Sequence, residues 1–376
     1  MPTADQVPTA DEVLAALATV DEPTLGAPIA TLGLVNDLVI DGGVVRIQVL
    51  EPIPGAASEQ LGEAVRQAIR GVEGVASVEV KVSPMPEDRR QALATRLRGS
   101  APAAAGGTPL IPFAQMDSDT KVLAIASGKG GVGKSSITAN LAVALARQGH
   151  KVGVLDADIW GYSIPRMLGV QGQPVPFGNM VVPLHGHGCK VISIGFFVDS
   201  ERPVIWRGPM LHRALQQFLA DVYWGELDFL LCDLPPGTGD VAISLAQMLP
   251  NADMIVVTTP QQAAQRVALR AGQVTAQTGM RVAGVIENMA VFIAPDTGTE
   301  YRIFGEGGGE LLAKELDTEL LGSIPIDARL REGADEGVPL VIRDPDAPAS
   351  KVLEDIARGL TTRKSSMIGR SLPLMG

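Results

Sequence analysis

The sequence predicts an α/β protein, with a mainly parallel sheet covered by helices on both faces and a small α+β domain in front of it. Three observations carry this prediction. Short apolar runs at 122–127, 152–155, 191–195, 229–233, 254–258 and 282–286 alternate with segments of helical periodicity. The first run leads through a glycine-rich loop into a helix. A Pro/Gly/Ala-rich stretch at 100–118 reads as a linker and divides the 376 residues into 1–99 and 119–376.

Taken in chain order, residues 11–18 have helical periodicity. Residues 37–40 and 44–50 are β-rich and flank the turn Asp41-Gly-Gly43, so they read as paired strands. Ser58 is placed to cap a helix carrying Leu61, Val65 and Ile69 on one face. Residues 76–82 alternate as a strand, completing the small α+β domain. Beyond the linker, the strand at 122–127 precedes a helix over 136–148 with Ile137, Leu141, Ala144 and Leu145 on one face. Strands joined by helices in this way run parallel, and ligands gather at their carboxyl ends.

Between that strand and helix, residues 128–135 read Gly-Lys-Gly-Gly-Val-Gly-Lys-Ser. This is a phosphate-binding loop with an extra lysine after its first glycine. The unpaired N–H groups and dipole at a helix start attract polyphosphate, and Gly130, Gly131 and Gly133 let the backbone approach without a Cβ in the way. The cradle comprises Gly128, Lys129, Gly130, Gly131, Val132, Gly133, Lys134, Ser135 and Ser136. Lys134 is expected to reach the β- and γ-phosphates and the Ser135 hydroxyl to ligate Mg²⁺, so the chain is read as binding a nucleoside triphosphate.

Carboxylates complete this site. The strand at 152–155 runs into Asp156 and Asp158, which at i and i+2 project the same way towards the phosphates. The strand at 229–233 ends in Asp233, expected to hold Mg²⁺ through water, and Leu234-Pro-Pro-Gly-Thr-Gly-Asp240 follows as a switch loop. Gly237 in that loop is expected to offer its N–H to the γ-phosphate. Acids after strands also serve as helix caps, which is the competing reading for each one alone.

Composition narrows the setting. The 46% hydrophobic and 19% charged content suits a globular protein with a sizeable core. A net charge of −11 disfavours broad nucleic-acid binding. The longest apolar runs are too short for a membrane helix, and the N-terminus lacks the basic start and apolar core of a signal peptide. Two cysteines, Cys189 and Cys232, exclude a disulfide framework and fit a reducing cytoplasm.

The loop with lysine second, Leu155-Asp-Ala-Asp-Ile-Trp-Gly-Tyr-Ser-Ile-Pro165, Trp206-Arg-Gly-Pro-Met210, Tyr223-Trp-Gly-Glu-Leu-Asp228, Asp233-Leu-Pro-Pro-Gly-Thr-Gly-Asp240 and Ile303-Phe-Gly-Glu-Gly-Gly-Gly309 together resemble the Mrp family of P-loop ATPases with a deviant loop lysine, which carry iron–sulfur clusters. The resemblance spans about 120–345. Residues 8–85, notably Thr31-Leu-Gly-Leu-Val35, are similar to the small iron–sulfur-assembly domain that often precedes this ATPase. The resemblance implies slow, Mg²⁺-dependent ATP hydrolysis in a nucleotide-sandwich homodimer, with apo iron–sulfur proteins or assembly factors as partners. It implies that Lys129 reaches the partner's γ-phosphate, that Asp158 positions the attacking water, and that Asn288, with backbone around Pro325 and Asp327, recognises adenine. No nucleic acid and no stable membrane association is expected. The alternatives are a positioning or partition ATPase on DNA or membrane, and a nucleotide-gated scaffold.

The sequence departs from the family pattern at one place. Members that bridge a [4Fe–4S] cluster use Cys-x-x-Cys just after Glu-Asn-Met, and here Ala294 and Thr297 stand at those positions. Cys232 lies within a strand and reads as a small buried hydrophobe. His185, His187 and Cys189 alternate, so an extended stretch would face all three one way towards a soft metal. The plainer reading is an ordinary turn before a strand.

Overall fold

The computed structural model describes residues 7–55, 57–98, 110–115, 117–158, 161–197, 208–237, 240–261, 269 and 280–363. Linker residues 100–109, Ile159 and Trp160, Trp206 and Arg207, Thr238 and Gly239, and the tail beyond 363 lie outside them.

The chain forms two units, one of residues 1–102 with 175–182 and the other of 103–174 with 183–376. In the first, α1 (Ala10–Leu17) starts from a capping box in which Thr9 and Glu12 satisfy each other's backbone N–H. Strands β1 (Val35–Asp41) and β2 (Val44–Glu51) pair antiparallel, helix α2 (Ser58–Arg70) crosses over, and β3 (Ser77–Pro84) lies parallel to β2. Leu61, Val65 and Ile69 are fully buried, the face the periodicity predicts. Ser58 is not the cap: Ala57 holds that position, and the Ser58 hydroxyl donates to Glu51 (2.7 Å). Glu51 is nearly fully buried and also accepts from Gly55 N and Ala57 N, so one carboxylate satisfies the turn that starts the helix. Helix α3 (Glu87–Arg98), which carries little periodicity, and a hairpin of Val175–Phe177 and Met180–Val182 complete this unit.

The second unit is built on a nine-stranded sheet. Its elements in chain order are β4 (Lys121–Ser127), α4 (Lys134–Arg147), β5 (Val152–Asp156), β6 (Leu184–Gly186), β7 (Cys189–Ser193) and α5 (Gly208–Ala220). There follow β8 (Phe229–Asp233), α6 (Asp240–Met248), β9 (Asp253–Thr258), β10 (Arg281–Ile293), β11 (Glu300–Tyr301), α7 (Gly308–Glu315), β12 (Leu320–Ile326), α8 (Ala328–Glu336) and α9 (Pro348–Thr362). The strand order is β6-β7-β5-β8-β4-β9-β10-β11, with β12 on β10. All neighbours are parallel except the β6–β7 and β10–β11 pairs. The expected strand at 191–195 runs instead over β7, because the chain tightens into a 3₁₀ turn at Ile194–Phe197.

Parallel register lines up the acid-bearing strand ends. Asp233 on β8 pairs with Asp156 on β5 and with Ile125 on β4, and Ser193 on β7 pairs with Asp156. Helix α4 is buried from Ile137 through Leu145, a wider face than the sequence pattern marks, because α9 packs over it. Gly153 on β5 faces Trp224 and Leu227, and a Cβ there would fall 2.7 Å from Leu227 Cδ1 and 2.8 Å from Trp224 Cζ3. Trp224 is itself fixed, its indole N–H donating to Phe218 O at 2.9 Å. Gly153→Ala is therefore expected to destabilise this unit by about 1–3 kcal/mol, read as a lower urea midpoint of its unfolding transition.

Candidate nucleotide-binding site

The loop after β4 is held open by its glycines and anchored by one apolar side chain. Gly131 and Gly133 have φ of 81° and 84°, in the left-handed region that favours glycine. Gly133 is also the N-cap of α4, and a Cβ on it would lie 2.3 Å from Asn288 Nδ2. Val132 between them is buried in the core below. The middle residue of the loop is therefore tied down between two glycines.

Beneath it lies a buried polar network. Lys134 Nζ pairs with Asp233 Oδ2 at 2.7 Å, with side chains only 6% and 1% exposed. The Ser135 hydroxyl donates to the same oxygen at 2.6 Å, and the Thr138 hydroxyl donates to Asp233 Oδ1 at 2.7 Å. One carboxylate at the end of β8 thus gathers the first turn of α4. Asp156, fully buried, accepts from Asp158 N (3.2 Å), Ile164 N (3.3 Å) and the Ser193 hydroxyl (3.0 Å). Burial pushes the Asp156 carboxyl up to about 8; the neighbouring Asp233 charge adds to this, and the Asp158 N–H, Ser193 and Lys134 oppose it only in part.

A cavity of about 180 Å³ opens above this network, lined by Ser127, Lys129 through Ser136, Asp158, Ser163, Met167 and Pro236. The structure thus brings loop, Asp158 and switch-loop proline to one place. Lys129 Nζ donates to Gln261 Oε1 of its own chain at 3.0 Å. Gly237 N, expected at a γ-phosphate, donates to Ser127 O at 2.8 Å. Asn288 lies behind the loop, its amide nitrogen donating to Val132 O at 2.8 Å. Pro325 is in β12, and Asp327 caps α8 with its carboxylate committed to Arg329 at 2.6–3.0 Å; none of Asn288, Pro325 and Asp327 lines the cavity.

Two supporting residues were not anticipated. Thr138 lies one turn after Lys134 on the strand-facing side, a spacing that the helical pattern contains. Ser193 meets Asp156 only through strand pairing, which no local pattern encodes.

Residues 119–361 match the sequence profile of the NUBPL iron-transfer P-loop NTPases. The chain belongs to this family. Residues 10–82 match the profile of an iron–sulfur cluster assembly protein. Among NUBPL-type relatives, the iron–sulfur cluster carrier protein of Mycobacterium tuberculosis is 50% identical over 367 residues, covering 96% of this chain and 95% of its own. The Bacillus subtilis protein of the same name is 39% identical over 361 residues, covering 95% and 99%. Of solved structures, a nucleotide-binding protein of Archaeoglobus fulgidus in complex with ADP is 36% identical, with a TM-score of 0.53, covering 62% of this chain and 95% of that one. The septum site-determining protein MinD of Pyrococcus horikoshii, complexed with Mg-ADP, is 26% identical with a TM-score of 0.50, covering 65% and 96%.

The NUBPL-type chain lacks a thiolate set where the resemblance places one. After β10, Ala294 N donates to Thr299 O (2.9 Å) and Gly298 N to Ala294 O (2.8 Å), closing a tight turn with Ala294 buried and Thr297 exposed. The alternating His185, His187 and Cys189 do not share one strand face. β6 and β7 fold back on each other there, His187 takes φ of 50°, and its Nε2 meets Gly337 O at 2.8 Å. Burial pushes the Cys189 thiol up to about 12, and burial with the Asp233 charge pushes Cys232 up as well, so both stay protonated. No group of three or more His, Cys, Asp or Glu side chains among the described residues is arranged to hold a metal ion.

The Asp156 shift makes a test of the acid pair. The folded protein retains this proton while the unfolded chain releases it near 3.8, so nucleotide-free stability falls as pH rises from about 4 towards 8. In urea titrations with EDTA at pH 5 and pH 8, Asp156→Asn is expected to narrow the difference seen for the wild type.

Proposed function

We propose that this protein is a Mg²⁺-dependent ATPase that assists the assembly or transfer of iron–sulfur clusters to apoproteins, working as a homodimer in the cytoplasm. The observation that carries the ATPase part is the buried Lys134–Asp233–Ser135–Thr138 network beneath an amide-lined loop. The iron–sulfur part is supported by two family matches in one chain and by the names of relatives covered almost end to end.

The donor set fits magnesium. A hydroxyl and carboxylates are hard oxygen ligands; Ser135 would offer the first from the start of α4, and Asp233 and Asp156 the others from the carboxyl ends of adjacent strands. Magnesium bound there neutralises charge on the phosphates. The chain's own residues do the rest. Loop amides 130–135 hold the β- and γ-phosphates, and Lys134 exchanges Asp233 for a phosphoryl oxygen. Gly237 exchanges Ser127 O for the γ-phosphate. Asp158, at the cavity wall, orients the attacking water, and Lys129 crosses to the partner subunit's nucleotide as the two close. Hydrolysis is slow because that cation arrives only in the dimer. Asn288 and the backbone of 325–327 recognise the base, since the Asp327 carboxylate is already engaged.

A resident [4Fe–4S] cluster does not fit the residues present. Alanine has no ligand atom, and the turn it occupies is closed. The cluster is therefore cargo or client chemistry and not a fixture of the 294–297 turn. The likeness to MinD is one of fold, and a net charge of −11 disfavours a DNA or anionic membrane surface as the partner. Among the described residues, no helix is long and apolar enough to cross a membrane.

Two measurements test this reading. Lys134→Ala is expected to lower ATP turnover on the order of 10²-fold or more; turnover at the wild-type rate would reject the site. In anaerobic reconstitution, the wild type should retain little iron per dimer, and the double variant Ala294→Cys, Thr297→Cys should retain more. High iron in the wild type that ignores this turn would place the cluster ligands elsewhere.

A further inference from the structure

Lys129 is held in an unusual way for a cation beside a phosphate site. Among the described residues no carboxylate pairs with it; its ammonium donates to the Gln261 side-chain oxygen at 3.0 Å. Both residues sit on short extensions of neighbouring strands. Ser127 on β4 pairs with Val257 on β9, Lys129 follows Ser127 by two residues, and Gln261 follows Val257 by four. The Ser127 hydroxyl donates to Lys129 O at 3.1 Å and fixes the lysine's backbone. On the neighbouring strand, Thr258 at the end of β9 and Thr259 just beyond it are buried. The Thr259 hydroxyl is enclosed without a hydrogen-bond partner, so this turn is not in its most satisfied arrangement.

We propose that Gln261 is a positioning residue that holds Lys129 within its own subunit and releases it when two subunits close around nucleotide. This rests on the reading that Lys129 acts in trans. An amide suits the task on physical grounds. It directs the ammonium through one hydrogen bond and leaves its charge unneutralised, whereas a carboxylate would bind it more tightly and cancel the charge the partner's phosphate must attract. Closure then exchanges a neutral acceptor for an anionic one, and the exchange runs forward only when a triphosphate is present.

The test is the dimerisation constant of the full chain, measured by sedimentation with Mg²⁺ and a non-hydrolysable ATP analogue. Gln261→Ala removes the hold and should tighten the analogue-bound dimer roughly three- to tenfold. Gln261→Glu strengthens the hold and should loosen it by at least as much. Lys129→Ala should abolish the tightening that the analogue produces in the wild type. A merely structural glutamine would shift the thermal midpoints of both variants and leave the dimer constant unmoved. If Lys129→Ala behaves as expected while the two Gln261 variants move together or not at all, the positioning role is overturned and the trans lysine stands. If Lys129→Ala dimerises like the wild type, the trans reading fails and the Gln261 role fails with it.

Discussion

The ion pair between Lys134 and Asp233 is the interaction on which the rest of this site is organised. Two opposite charges are buried there almost out of contact with water, and such a pair survives only when hydrogen bonds satisfy what the Coulomb attraction leaves over. Ser135 and Thr138 supply those bonds from the same helix turn. The consequence is geometric as well as energetic. The first turn of α4 is stitched to the end of β8, so the loop preceding it is fixed at both ends, by β4 on one side and by α4 on the other.

That arrangement depends on strand register far from the loop. Asp233 faces Asp156 only because β8 and β5 are parallel and in step, and Asp156 remains neutral because burial and the neighbouring Asp233 charge outweigh the Ser193 hydroxyl and backbone amide that favour its ionised form. Two like-charged neighbours in a dry site would repel; raising one of them towards neutral pH relieves this. Beneath the cavity, one lysine is thus matched to one ionised carboxylate, Lys134 to Asp233, while the second acid of the pair stays protonated.

Much of this was legible in the sequence for a definite reason. Phosphate binding is a local problem, solved within one strand, one loop and one helix, so spacing alone locates Lys134 and Ser135. Strand-terminal acids are legible for the same reason, as Asp156 and Asp233 illustrate. What the sequence hid is non-local. Ser193 reaches Asp156 through sheet pairing, Gln261 reaches Lys129 from the neighbouring strand's extension, and Asn288 reaches the loop from inside the long strand β10. Local pattern misjudged Ser58, whereas the His185–Cys189 run takes the plainer of its two readings, a turn before a strand. In the first, a buried glutamate took over the satisfaction of the helix start. In the second, a left-handed residue turned a straight alternation into a reversal.

The hairpin at 175–182 gives the small N-terminal unit an uncommon property, since it arises within the later segment of the chain yet forms one unit with residues 1–102. That unit is therefore not written in one uninterrupted stretch of polypeptide. Ribosomal synthesis delivers its first hundred residues well before its last eight, and these emerge only after β5 and Asp158 have been made. Swapping the front portion onto another ATPase by simple gene fusion would leave Phe177, entirely shielded from solvent here, behind. Eight residues encoded within the second half of the chain thus belong to the fold of the first.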